Sequence, residues 1–414
     1  MGKASGISRT ALWLGGGGLI IGAVAAWLVS QGNPGNMGLC IACFLRDTVG
    51  FFAGGSANMG AVAYIRPELV GLPLGALAAA LAAKEFRARG GSAPLIRFVL
   101  GFAFMAGALV FLGCTVRAWL RLGGGDLSAL AGIAGIVFGV WIGTVLLRRG
   151  FDLGRAGKLG RWAGWVTPAV FAALLLVAAL WASGVSMPWA TTTPPGAKST
   201  AEKAVIAADG ATVLKPAGAK LVDGAVVGAD GTVVSAPESV KAAKPMPGGK
   251  RAPFLISLIA GLLLGVVAQR TRFCTIGGVR DSILWKRFDL LLGIAGLVVG
   301  AAVVNLVFGQ FNLGFANQPV AHTDILGSFA GMSIAGLSAV MLGGCPFRQV
   351  IMSGEGDADA GMAILGMAAG ALAAHGLNVA SSAKGLAPLG WPMLAVMAVL
   401  LTVIAFAKRG RATS

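Results

Sequence analysis

The chain has 414 residues, 56% of them hydrophobic and only 12% charged, with a mean hydropathy of +0.82. That is too little charge to cover a water-facing surface, so the composition argues against a soluble globular enzyme and for a polytopic membrane protein. The net charge of +17 does not mark a nucleic-acid binder, because the basic residues gather at the ends of apolar runs, where they anchor a protein against anionic lipids.

Apolar runs of about 20 residues, long enough to span a bilayer, fall at 11–30, 68–83, 94–114, 128–147, 163–183, 252–269, 289–309, 325–344, 361–379 and 389–407. Lys3 and Arg9 precede the first run, which lacks a clear cleavage site and is read as a retained span. Four basic clusters, KEFRAR at 84–89, RRGFDLGR at 148–155 with Lys158 and Arg161, WKR at 285–287 and KRGR at 408–411, are expected on the cytoplasmic side. Ten spans satisfy all four clusters and place both termini in the cytoplasm of a bacterial inner membrane.

The expected organisation is a first membrane repeat at 1–183, an insert with its linkers at 184–250, and a second membrane repeat at 251–414. The insert carries VIAADGATVLK at 205–215 and VVGADGTVVSA at 226–236, two β-prone runs interrupted by Asp-Gly, the dipeptide of tight hairpin turns. Its expected location is extracytoplasmic, which leaves Lys250 and Arg251 as a local exception to the charge rule. Trp181, Trp189 and Trp391 are read as interfacial anchors, and Gly132, Gly135 and Gly139 as helix-packing positions.

The two halves repeat each other. LCIACFLRD at 39–47 aligns without a gap on FCTIGGVRD at 273–281, matching Cys40 to Cys274, Arg46 to Arg280 and Asp47 to Asp281. FLGCTVRAWLRLGGGD at 111–126 likewise aligns on LGGCPFRQVIMSGEGD at 342–357, matching Cys114 to Cys345, Arg117 to Arg348 and Asp126 to Asp357. Two five-span units are implied, and because five is odd the second enters the membrane inverted. The segments 38–55 and 274–285 are too short and polar to span, and are read as re-entrant or broken helices whose N-termini attract an anion.

Arg46 with Asp47, and Arg280 with Asp281, are read first as structural pairs and secondly as sources of local field. Arg117, Arg348 and Asn36 are candidates for the access route of an anion, with Asn58 a further mouth residue, while Asp126 and Asp357 are read as helix caps. Four repeat-matched cysteines, Cys40, Cys114, Cys274 and Cys345, suit a path for a soft sulfur- or selenium-bearing solute. Cys43 completes CIAC, which also suggests redox exchange. No catalytic residue, metal site or cofactor is expected, since the chain has only His322 and His375 and no recognisable nucleotide-binding domain.

At GCTVR, GCPFR and the CxxxxxRD segments the sequence resembles the YeeE/YedE, or sulphur-transport, family of inner-membrane permeases, over about 1–183 and 251–409. Relatives take up thiosulfate, and the resemblance implies an hourglass-shaped inverted-repeat fold with short helices meeting at a central constriction. It implies transport roles for Cys40, Cys114 and Cys345, passing the solute by S–H to sulfur hydrogen bonds, with Cys274 as the counterpart of Cys40. CTIGGVRDS resembles the YedE branch associated with selenium metabolism.

The expected fold class is therefore all-α and polytopic, an inverted repeat of two five-span units with re-entrant short helices, plus a small β-prone extracytoplasmic insert. The expected activity is import of a small sulfur- or selenium-containing anion, with a cytoplasmic sulfurtransferase-like protein and anionic lipids as partners and no nucleic acid. The alternative is a membrane redox or adaptor protein supporting sulfur or selenium metabolism.

Overall fold

The computed structural model describes residues 9–53, 59, 63–185, 187, 205–207, 212–213, 220–222, 225–227, 233–235, 240–241 and 250–410. Asn58 and Trp189 lie outside the described residues.

All ten apolar runs are helical. They form α1 (Arg9–Ser30), α3 (Pro67–Ala82), α4 (Pro94–Phe111), α6 (Ala129–Arg148), α7 (Val166–Ala182), α8 (Phe254–Thr271), α10 (Asp289–Val307), α11 (Ile325–Leu342), α13 (Ala358–Gly376) and α14 (Gly390–Ala407). Among the described residues nine stretches are long and apolar enough to cross a membrane, and the tenth, α3, has 16 residues with Pro73 inside it. The chain is thus a mostly helical polytopic membrane protein.

Among the described residues there are also four short α-helices, α2 (Ile41–Phe52), α5 (Thr115–Gly123), α9 (Thr275–Leu284) and α12 (Pro346–Gly354). The first and third were expected as dips. Residues 115–123 and 346–354, which fall between the expected spans, each form a helix of 9 residues. The run TVRAWLRLG alternates apolar and basic residues at helical spacing, but it is too short for a search tuned to spans. Each half consequently reads long, short, long, long, short, long, long.

The tightest helix pairs cross between the halves and match on exchange: α1 packs on α10 and α3 on α8, while α4 packs on α13 and α6 on α11. Glycine permits this approach, since a Cβ at Gly18 would collide with the Gly293 carbonyl and one at Gly75 with the Leu262 carbonyl. Gly132 meets the Phe111 ring, while Gly135 and Gly139 meet the carbonyls of Phe329 and Ser333. The ends are tied by polar contacts. Asn33, just after α1, donates to Glu68 at 2.8 Å and accepts from the Ala252 amide at 2.9 Å, so α1 finishes where α3 and α8 begin. At the other end Arg272, just after α8, pairs with Glu85, just after α3, at 2.8 Å.

Two-residue strands β1 (Arg89–Gly90) and β2 (Gly157–Lys158) pair antiparallel. In the insert, β3 (Val205–Ala207) pairs with β4 (Thr212–Val213), flanking the first Asp-Gly, and with β8 (Val240–Lys241). β6 (Ala225–Val227) pairs with β5 (Lys220–Val222), flanking Asp223-Gly224, and with β7 (Val233–Ser235), flanking Asp230-Gly231.

Two expectations change. Trp181 is only 3% exposed and packs edge-on to Phe51 and Tyr64, so it is a core residue, unlike Trp391 at 47%. Arg251, the exception to the charge rule, lies over the Tyr64 and Trp181 rings at 4.8 and 5.0 Å, where the ring faces stabilise its charge locally.

Candidate functional site

Each repeat-matched cysteine is the N-cap residue of a short helix: Cys40 of α2, Cys114 of α5, Cys274 of α9 and Cys345 of α12. A helix start leaves amide groups without intrahelical acceptors, and three of the sulfurs take one up. Cys40 accepts from the Cys43 amide at 3.4 Å, Cys274 from Gly277 at 3.2 Å and Cys345 from Arg348 at 3.5 Å. Cys114 makes no such cap bond; it lies beside Cys40.

The four helix starts are chained together. The Cys40 and Cys43 sulfurs are 2.9 Å apart and unbonded, and Cys114 joins them. Thr115 and Thr275, one residue past their cysteines, meet at 3.0 Å between hydroxyl oxygens. The Cys345 amide donates to the Cys274 sulfur at 3.3 Å. Four N-termini thereby face one region, where helix dipoles and spare amides favour negative charge. All five thiols are buried, so the arrangement is a closed one.

The two arginines that follow the GC motifs differ. Arg117 is fully buried and donates to the carbonyls of Asn36 at 2.8 Å, Val320 at 3.0 Å and Leu112, with the Cys43 sulfur at 3.5 Å. Among the described residues it has no carboxylate within ion-pair distance. Asn36 adds a buried side-chain amide nitrogen with no partner, beside a cavity of about 10 Å³ lined also by Gly38, Leu120 and Asn305. Arg348 instead grips Glu355 through both terminal nitrogens, at 3.0 and 3.3 Å.

Around them lie the remaining candidates. Asp47 is shared by Arg46 at 2.6 Å and Arg66 at 2.8 Å, and Arg280 pairs with Asp281 at 2.8 Å nearer the surface. Asp357 caps α13 through the Ala360 amide at 3.0 Å. Asp126 does not cap α6: it binds Arg121 at 2.7 Å and folds back on Ser128, because a second buried arginine stands in the first copy where the second has Met352. Outside the spans, Glu85 has its carboxyl held below the usual range by the hydrogen bond from Gln269 and by the Arg272 charge.

The sequence reading missed Thr115, Thr275, Glu355 and Arg272. The threonines carried a signal, as both follow a repeat-matched cysteine. Glu355 carried a clearer one, since GGGD in the first copy becomes GEGD in the second.

No family model matches the chain. A stretch of 106 residues is 37% identical to the thiosulfate transporter TsuA of Escherichia coli (strain K12), covering 25% of this chain and 28% of that protein. The match thus spans little more than a quarter of that relative's length.

Proposed function

We propose that the protein is an inner-membrane permease that imports a small sulfur- or selenium-containing anion along a path lined by Cys40, Cys114, Cys274 and Cys345. The observation that carries this reading is the chaining of four helix starts, each with a cysteine at its N-cap position, beside Arg117, a buried guanidinium that no carboxylate among the described residues neutralises. Burying such a charge unpaired is costly, and an anion arriving in the closed cluster would supply the missing partner. Thiols offer weak S–H donors and polarizable acceptors, so a soft anion is held loosely and released unchanged. The partial likeness to a thiosulfate transporter, and the resemblance of the cysteine motifs to YeeE/YedE proteins, favour thiosulfate as the first anion to test, with a selenium oxyanion as the second.

An inverted repeat is supported by helix direction. Because α1 finishes where α8 begins, the first helix of one half runs opposite to the first helix of the other, and five long helices per half require the same. The basic clusters then place Glu85 and Arg272 in the cytoplasm, and Asn36, Val320 and the 184–250 insert outside. In this orientation the anion is drawn in at Arg117, passes Cys40, Cys114, Cys345 and Cys274, and leaves at Arg348. Opening the closed cluster requires the short helices to move against the long ones, and consumption by a cytoplasmic sulfurtransferase-like partner would draw net uptake.

Uptake of labelled thiosulfate and of selenite into proteoliposomes tests the reading, with Cys114→Ala expected to lower it about tenfold, the weight of one lost polar contact. Flux equal to that of protein-free vesicles for both anions would remove the assignment. A redox reading is favoured only by the 2.9 Å approach of Cys40 and Cys43 in the first turn of α2. Cys43→Ser separates the two, because it abolishes dithiol exchange and leaves Cys114-dependent flux in place.

A further inference from the structure

The second GC motif ends in a carboxylate that helix stability does not call for. Glu355 is the C-cap residue of α12, at the negative end of a helix, where a cation is favoured and an anion is not. Its ungapped counterpart in the first copy is Gly124, the C-cap of α5, and that helix ends without a carboxylate there. Glu355 is nonetheless only 4% exposed.

Its two oxygens are surrounded by arginines from three separate segments. One oxygen accepts from Arg348 at 3.0 Å and Arg272 at 2.9 Å. The other accepts from Arg348 at 3.3 Å and lies 3.7 Å from Arg89. Arg348 lies in the first turn after Cys345, and Arg272 stands two residues before Cys274, so the cluster holds both cysteine-bearing joints of the second half. Exposure rises outward along it, from the buried thiols through the Arg348 side chain at 12% to that of Arg272 at 46%. Two carboxylate oxygens held by forked guanidinium groups occupy the geometry that two oxygens of a tetrahedral oxyanion would take.

We propose that Arg89, Arg272 and Arg348 form the release site for the transported oxyanion, and that Glu355 is the chain's own occupant of that site, which displaces the anion into water. The proposal rests on the permease reading and adds the residue that sets release. Three carboxylates, Glu85, Glu355 and Asp357, pair with these three guanidinium groups, while Arg270 and Arg87 act on Glu85 from beside them. An anion reaching the arginines must compete with a tethered carboxylate that never diffuses away. Without the Glu355 charge the cluster becomes more positive by one charge and retains the anion.

Glu355→Gln keeps the shape and removes the charge. It is expected to lower both the half-saturating thiosulfate concentration and the maximal uptake rate by about tenfold, the weight of one close charge contact. Equilibrium binding of thiosulfate to the purified full chain in detergent tightens to match, and Glu355→Asp, which restores the charge, moves all three readings back toward the wild type. A merely structural role predicts lower maximal uptake with unchanged half-saturation and no tighter binding, and that result overturns the proposal. Wild-type protein that neither carries nor binds thiosulfate would remove the permease reading for this anion and this inference with it. Wild-type flux combined with unaltered binding by Glu355→Gln would remove the inference alone.

Discussion

The two ends of the cysteine cluster are built from aligned motifs and differ in charge. At the Arg117 end, Asp126 pairs with Arg121, and Arg117 itself is held by neutral carbonyls and a thiol. At the Arg348 end Arg89, Arg272 and Arg348 each have a carboxylate within 3.7 Å. One scaffold thus offers a positively biased end and a neutralised one, which is what capture at one mouth and release at the other require. The difference lies in a few side chains on matched backbone. Gly125 and Gly356 both turn with positive φ, at +90° and +95°, before Asp126 and Asp357.

The largest effect should come from breaking the biased end. Arg117→Gln removes the charge an incoming anion would meet, and a charged hydrogen bond of about 2–3 kcal/mol corresponds to a half-saturating thiosulfate concentration raised roughly 30- to 150-fold. Arg117→Lys keeps the charge and should recover most of that loss, which separates electrostatics from the lost carbonyl contacts. Arg348→Gln should shift half-saturation by well under about tenfold, because Glu355 already offsets its charge. Equal shifts at the two positions, read in the same vesicles, would show that the charge difference has no part in capture.

Much of the architecture was legible in the sequence because lipid imposes it: long apolar runs have to be helices, and basic residues collect at their ends. The repeat was legible because the cysteine, arginine and aspartate of each copy keep their spacing. The short helices α5 and α12 were not, since nine residues beginning at a cysteine match no span template. The capping role of Cys40, Cys274 and Cys345 escaped as well, because sulfur is not among the usual cap acceptors. The contrast between Arg117 and Arg348 depends on Gly124 standing against Glu355. That alignment was available, but its meaning depends on Arg272 and Arg89, which reach Glu355 only through folding.

A smaller effect should report on the joint between the ends. Thr115 belongs to α5 and Thr275 to α9, and each hydroxyl has the other 3.0 Å away in a fully buried place. Replacing either by Val leaves one hydroxyl buried without its partner, at a cost of about 1–2 kcal/mol, whereas replacing both removes the unmet group. Thermal unfolding in detergent should therefore show Thr115→Val and Thr275→Val each lowering stability, with the double variant losing less than the sum. Strictly additive losses would mean that the two helix starts do not meet there.

The smallest expected effect concerns the loop that supplies Val320 to Arg117. In that loop the ring of His322 donates from Nε2 to the Val110 carbonyl at 2.8 Å and accepts at Nδ1 from the Asp324 amide at 3.3 Å. Both nitrogens are thus satisfied in the neutral ring. Burial moves its proton affinity below the ordinary value of 6.5, the hydrogen bond to Val110 works against that shift, and Arg121 nearby adds to it. The unfolded chain therefore binds the proton more readily, so the contribution of His322 to stability is complete above about pH 6.5 and is lost as pH falls through the lowered folded value. Melting temperature should decline between about pH 7 and pH 5, and His322→Gln should flatten that part of the profile, because an amide can keep the Val110 contact without titrating. An unchanged profile in the variant would assign the acid sensitivity to another group and leave the Arg117 end insensitive to the proton.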